Sequence, residues 1–238
     1  MKLDVLAFGA HPDDVEISAA GTILSLTDKG LKAGIVDLTR GEMGTRGTAE
    51  IRDKESADAA KILGLSVREN LGFDDGFIHN KKKYQLEVIK IIRKFKPRIV
   101  ITTAIKDRHP DHANASALVE DSCFLSGLMK IETDIDGEKQ TAWRPKLVLH
   151  FIQALTIEPD VIIDTTEYFE RKMKSILAHQ SQFYNPDSKE PQTFISSPHF
   201  LEFIKSRDVI FGSQIGAAYG EGFTCKRTIG VKNLTDLI

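Results

Sequence analysis

The sequence predicts an α/β fold: a mostly parallel sheet with helices on both faces and a less regular C-terminal third. Three observations predict it. Short apolar, β-branched runs alternate with helix-period segments four times in the first half of the chain. The joints between them are short, which implies right-handed βαβ units and a Rossmann-like sheet. Four successive strand ends run into polar, titratable residues, and open α/β sheets carry their sites outside the carboxyl ends of their strands.

The elements follow in order. Leu3–Gly9 reads as a buried strand, and residues 15–29 as a helix with Ile17, Ala20, Gly21 and Leu24 on one stripe, closed by Gly30. Ala33–Leu38 is the next strand, followed by the glycine-rich loop TRGEMGTRGT and a charged helix from Ala49 to Leu63, ended by Gly64. Val67–Leu71 is a short strand. Val88, Ile91, Ile92 and Phe95 recur at helical spacing in the segment from Tyr84 to Phe95, which stops before Pro97. RIVITT, residues 98–103, is strand-like again. Further on, Val148–Ala154 and Val161–Ile163 read as strands. Asp164 is placed to cap a helix with Glu167 in the capping-box position and Phe169, Met173, Ile176 and Leu177 as its apolar stripe. A last helix is expected at HFLEFIKSRDVIFG. No repeat or linker divides the chain, so residues 1–238 are expected to form one domain.

Composition narrows the class. The 238 residues carry 32 Lys+Arg against 34 Asp+Glu, a net charge of −2, so no global field favours nucleic acid or an anionic membrane. Two cysteines, Cys123 and Cys225, lie far apart and outside any C-x-x-C pattern, which favours reduced thiols. The apolar run at the N-terminus is too short for a signal peptide and no stretch reaches membrane-spanning length, so a cytoplasmic protein is the expectation.

The chemistry concentrates at two clusters. FGAHPDD, residues 8–14, empties the first strand into His11, Pro12, Asp13 and Asp14; DRHPDH, residues 107–112, follows the fourth strand. Taken singly, each is explained by helix capping: Asp13 or Asp14 at one N-terminus, Asp111 at the other. Together they supply histidines and a carboxylate from two strand ends, and two His with one carboxylate and an open position is a catalytic-zinc pattern. A G-x-G-x-x-G turn is absent, and a proline with two carboxylates would repel a pyrophosphate, which argues against dinucleotide binding. The glycines at 41, 44 and 47 lack the Gly-Lys-Ser/Thr of a phosphate loop.

AHPDDVE with RHPDH resembles the LmbE-like (PIG-L) family of zinc-dependent N-deacetylases, and the likeness extends through GEMGTRGT, NLGFDDG, SQF and YGEGF. Within that family the landmarks are most similar to those of a deacetylase acting on N-acetylglucosaminyl malate in bacillithiol biosynthesis. The resemblance implies one Zn²⁺ per chain on His11, Asp14 and His112, Asp13 as general base, and His109 at the oxyanion. It implies substrate contacts from Arg52, with Arg46, Asp74 and Arg108 as further candidates. Asp74 suits sugar hydroxyls, and the arginines suit a carboxylate on the aglycone. It also implies an N-acetylated amino sugar as partner and a homo-oligomer, with a hexamer in range. Another N-acetylated amino sugar, or a bacillithiol conjugate, would use the same metal chemistry. A non-enzymatic sugar- or metal-binding protein has no use for Asp13 and His109. His79, His150, His179 and His199 read as surface or core residues.

Overall fold

The computed structural model describes residues 1–237. Its main sheet has seven strands, and the N-terminal half alternates strand and helix as the pattern requires: β1 (Val5–Gly9), α1 (Asp14–Thr27), β2 (Ala33–Thr39), α2 (Ala49–Leu63), β3 (Val67–Phe73), α3 (Lys82–Phe95), β4 (Ile99–Thr102) and α4 (Pro110–Leu125). A two-stranded ribbon, β5 (Asp134–Ile135) with β6 (Glu138–Lys139), precedes β7 (Leu147–Phe151) and β8 (Val161–Asp164). Then come α5 (Phe169–Leu177), α6 (Phe200–Gln214) and β9 (Gly220–Thr224).

The order across the sheet is β3-β2-β1-β4-β7-β9-β8, and β9 alone runs against the other strands. β1 pairs in parallel with both β2 and β4, so the strand order reverses between β1 and β4. That reversal opens a crevice at the carboxyl ends of these two strands. Both titratable clusters emerge there.

Alternation along β1 builds two cores. Leu6 and Phe8 face α3 and α4 through Val88, Ile92, Leu118 and Val119. Val5 and Ala7 face α1 through Val15, Ala19 and Ile23. A third cluster, Ile17, Ile176, Phe183, Phe200 and Ile204, seats α5 and α6 on α1.

Two expectations change, and one strand stands where no element was expected. Helix α1 is not amphipathic: residues 14–24 are buried all round, because the sheet takes one side and α2, α5 and α6 the others. It therefore buries Glu16, which meets Arg68 on β3 at 2.5 Å and His179 at 3.1 Å. Asp164 ends β8 rather than capping a helix. Its carboxylate accepts from Thr166 N–H, and the α-helix starts only at Phe169, leaving Leu177 exposed. Strand β9 lies in the YGEGF landmark, whose glycines hide a strand from any propensity reading. Cys123 is buried and Cys225 half-buried, both free thiols.

Candidate active site

The site is built on the two turns flanking the reversal. Gly9 is needed in the first turn, where a Cβ would stand 2.9 Å from the His11 carbonyl oxygen. Asp13 occupies the N-cap position of α1 with φ 112°, a left-handed conformation costly for a residue with a side chain, and its carboxylate caps nothing. The second turn is capped by His109, whose Nδ1 accepts from Asp111 N–H at 3.2 Å. The expectation that Asp111 caps α4 is replaced: its carboxylate accepts instead from Gly76 N–H at 2.7 Å and Ile78 N–H at 3.2 Å.

The turns bring His11, Asp14 and His112 together. Asp14 Oδ2 lies 3.5 Å from His11 Nδ1, and Asp14 Oδ1 lies 3.2 Å from His112 Nε2. The far nitrogen of each ring meets another carboxylate: His112 Nδ1 lies 2.6 Å from Asp107, and His11 Nε2 lies 3.0 Å from Asp75 and 3.4 Å from Asp111. Carboxylates behind both imidazoles turn the other nitrogen of each toward Asp14. This is the arrangement that orients histidines bound to a metal. One nitrogen of each imidazole thus faces one oxygen of the Asp14 carboxylate. The donor set of nitrogen and oxygen fits zinc. Two further groups place one donor atom per residue within 4.8 Å of one another and could hold an ion: His11 with His109 and His112, and His11 with Asp75 and Asp111.

Electrostatics agree. Burial opposes charge on His112, yet the Asp14 and Asp107 carboxylates push its pKa up to about 9. Burial would raise Asp14, but His112 and His11 hold it well below the usual carboxylate range. Asp13 goes the other way, raised by burial to about 6 against the pull of the Arg52 guanidinium. His109 is lowered, by burial and then by His11 and His112, so its ring is neutral near pH 7 with the proton on Nε2, since Nδ1 accepts from the backbone.

A cavity of about 290 Å³ opens over these residues. Its polar end is His11, Asp13, Asp14, Asp75, His109 and His112; its other wall is apolar, with Ile17, Met43, Phe194, Ile195 and Phe203. Arg52 lines it but is already engaged. Its Nη2 donates to Pro12 O at 2.6 Å and to Asp13 at 3.3 Å, and its Nη1 donates to Gly41 O at 3.1 Å. Arg46 is buried outside the lining, its Nε 3.5 Å from Glu190. Arg52 has no free fork for an aglycone carboxylate, and Arg46 lies outside the cavity, contrary to expectation. Arg108 does line the cavity, exposed, with its guanidinium 4.5 Å from the centre of the Phe194 ring. Asp74 is exposed outside the lining and accepts from the Tyr84 hydroxyl at 3.4 Å; its neighbour Asp75 is the carboxylate in the site. Sequence reasoning passed over Asp75, Asp107 and Gln153. Asp107 stood in the quoted cluster, but Gln153 carries no local signal.

A Rossmann-like sheet with this His-Asp centre at its reversal defines a class, the de-N-acetylases of the LmbE-like type, and the chain belongs to that family. The PIG-L family, described as GlcNAc-PI de-N-acetylase, matches residues 6–123, which span both turns. Diacetylchitobiose deacetylase of Thermococcus kodakarensis is 29% identical over 92% of this chain and 81% of its own length. A Bacillus cereus protein named "Probable N-acetyl-alpha-D-glucosaminyl L-malate deacetylase 2" is 29% identical over 76% of this chain and 84% of its own. In structure, N,N'-diacetylchitobiose deacetylase from Pyrococcus horikoshii superposes with a TM-score of 0.80 at 30% identity, covering 98% of this chain and 88% of that one.

Proposed function

We propose that this protein hydrolyses the acetamide of N-acetylglucosaminyl malate, giving glucosaminyl malate and acetate in bacillithiol biosynthesis, with a zinc ion held by His11, Asp14 and His112. The observation that carries the metal reading is the pair of carboxylate-backed imidazoles turned toward Asp14. An ion bound there supplies a water that ionises near neutral pH and polarises the acetamide carbonyl.

The chain's residues do the rest. Asp13, buried beside Asp14, takes the proton of the attacking water and passes it to the leaving nitrogen. Arg52 holds that carboxylate at 3.3 Å while gripping the turn through Pro12 O. His109 donates from Nε2 to the carbonyl oxygen as negative charge develops there. Arg108, its guanidinium over the Phe194 ring, offers its N–H groups to a carboxylate of the aglycone. The aromatic wall of Phe194 and Phe203 favours a second reading, in which another sugar ring stacks there, as in a chitobiose unit.

Acetate release by purified protein on N-acetylglucosaminyl malate, N,N'-diacetylchitobiose and N-acetylglucosamine tests both. The malate glycoside should show the highest kcat/KM. A higher value on diacetylchitobiose would transfer the assignment to the second reading, and no release from any of the three would remove both.

A further inference from the structure

We infer that Gln153 is a positioning residue for the metal centre: it aims the Asp14 carboxylate at the ion, and Arg207 aims Gln153. The inference rests on the reading of Asp14 as a metal ligand.

Asp14 has two oxygens and each is held by one N–H donor. The His11 backbone N–H donates to Oδ2 at 2.9 Å, and Gln153 Nε2 donates to Oδ1 at 2.8 Å. An ionised carboxylate only accepts, so the carboxamide must present its NH₂ end, which fixes its orientation. Its Oε1 is buried and has no hydrogen-bond partner among the described residues. With one lone pair of each oxygen so occupied, the carboxylate cannot rotate, and the remaining lone pairs face His11 Nδ1 and His112 Nε2.

Gln153 lies just beyond β7, outside any regular element, and something else must hold it. Arg207 on α6 does: Nη1 donates to Gln153 O at 2.9 Å and Nη2 to Ile17 O at 2.5 Å, one turn along the helix that begins with Asp14. One planar guanidinium thus ties the supporting residue to the supported helix. Arg207 is in turn fixed by Asp208, whose other oxygen meets Lys172 Nζ at 2.6 Å. Lys172 reaches Glu221 at 2.8 Å, and Glu221 accepts from the backbone N–H of Gly21 and Thr22 inside α1. Every one of these side chains is at most 7% exposed. The C-terminal third is therefore wired through buried charges to a carboxylate at the N-terminal turn. Hydrogen-bond partners behind metal ligands commonly govern affinity by 10- to 100-fold, here read as the expected loss.

The test is zinc affinity of metal-free protein, titrated against a chromophoric chelator, for wild type, Gln153→Met and Gln153→Asn. Methionine keeps the volume without a donor; asparagine keeps the donor but falls one methylene short. Wild type should bind one zinc per chain, and both variants should fold, by circular dichroism of the metal-free form, and bind about 10- to 100-fold more weakly. Wild-type affinity in either folded variant overturns the inference. If only one variant folds, it decides. If neither folds, Gln153 is a determinant of the fold and the positioning role falls. If wild type itself binds no zinc, the metal-site reading fails first and takes the inference with it.

Discussion

Asp13 carries two constraints in one residue, a left-handed backbone and a carboxyl raised by burial to about 6. A cation at the adjacent centre can only lower that value, so the acid limb of kcat/KM should fall at or below about pH 6, with rate lost as pH drops and the base becomes protonated. Asp13→Asn should keep the fold and the metal, lose about 10²- to 10⁴-fold in kcat and erase that limb. Metal loss in this variant would make Asp13 a ligand instead. The arginines divide by what they already touch. Arg52 serves Asp13 and the turn, so Arg52→Ala should depress kcat on acidic and neutral substrates alike. Arg108→Ala should depress kcat/KM on the malate glycoside by roughly tenfold to a hundredfold, the worth of a charge-assisted contact of about 1.5–3 kcal/mol, and spare a neutral methyl glycoside. Equal losses on both substrates would assign Arg108 to the sugar or the loop.

Helix α1 shows how an element pays for its position. It supplies Asp14 at its first turn, packs on every side, and so must bury Glu16 against Arg68 and His179, with Asp37 on the far side of Arg68. Burial alone would raise the Glu16 carboxyl, but Arg68 and His179 hold it at about 2, below its ordinary 4.5. A depressed carboxyl stabilises fully above the unfolded value and loses that contribution as pH falls through the folded one. The difference in unfolding free energy between wild type and Glu16→Gln should therefore shrink from pH 4.5 toward pH 2, by on the order of 3 kcal/mol in urea denaturation. Parallel curves for the two proteins would show that the carboxylate gains nothing from its partners. The loop after β2 is constrained as tightly: Gly41 has φ +66° and a Cβ there would stand 1.9 Å from Arg52 Nη1.

Across the whole molecule, zinc should couple to stability, because an ion that binds only the folded chain adds about 2.7 kcal/mol at a hundred times its Kd. Thermal melts with zinc and after chelation should differ for wild type and His109→Ala. They should coincide for His11→Ala, Asp14→Ala and His112→Ala. A zinc-dependent shift in Asp14→Ala, or its loss in His109→Ala, would favour the three-histidine group as the ligand set, and a shift in His11→Ala or His112→Ala would exclude both sets.

Much of this was legible along the chain. The βαβ alternation, Gly64 as the end of α2, and the two turns at neighbouring strand ends are local patterns, set by residue types at short spacing. The paired His-Pro-Asp motifs told which side chains would meet, because parallel strands order their carboxyl ends on one edge of the sheet. Other features appear only when the chain is closed. Arg52 looks like a free cation in the sequence and is spent on partners that packing brings to it, while Arg46 is buried away from the cavity. Asp75 rather than Asp74 faces His11 because the turn after β3 exposes one carboxylate and buries the other. Gln153, Arg207 and Glu221 stand up to some two hundred residues from Asp14 and α1. No spacing rule relates them. Their roles come from desolvation, since a buried polar group must find a partner wherever the fold provides one.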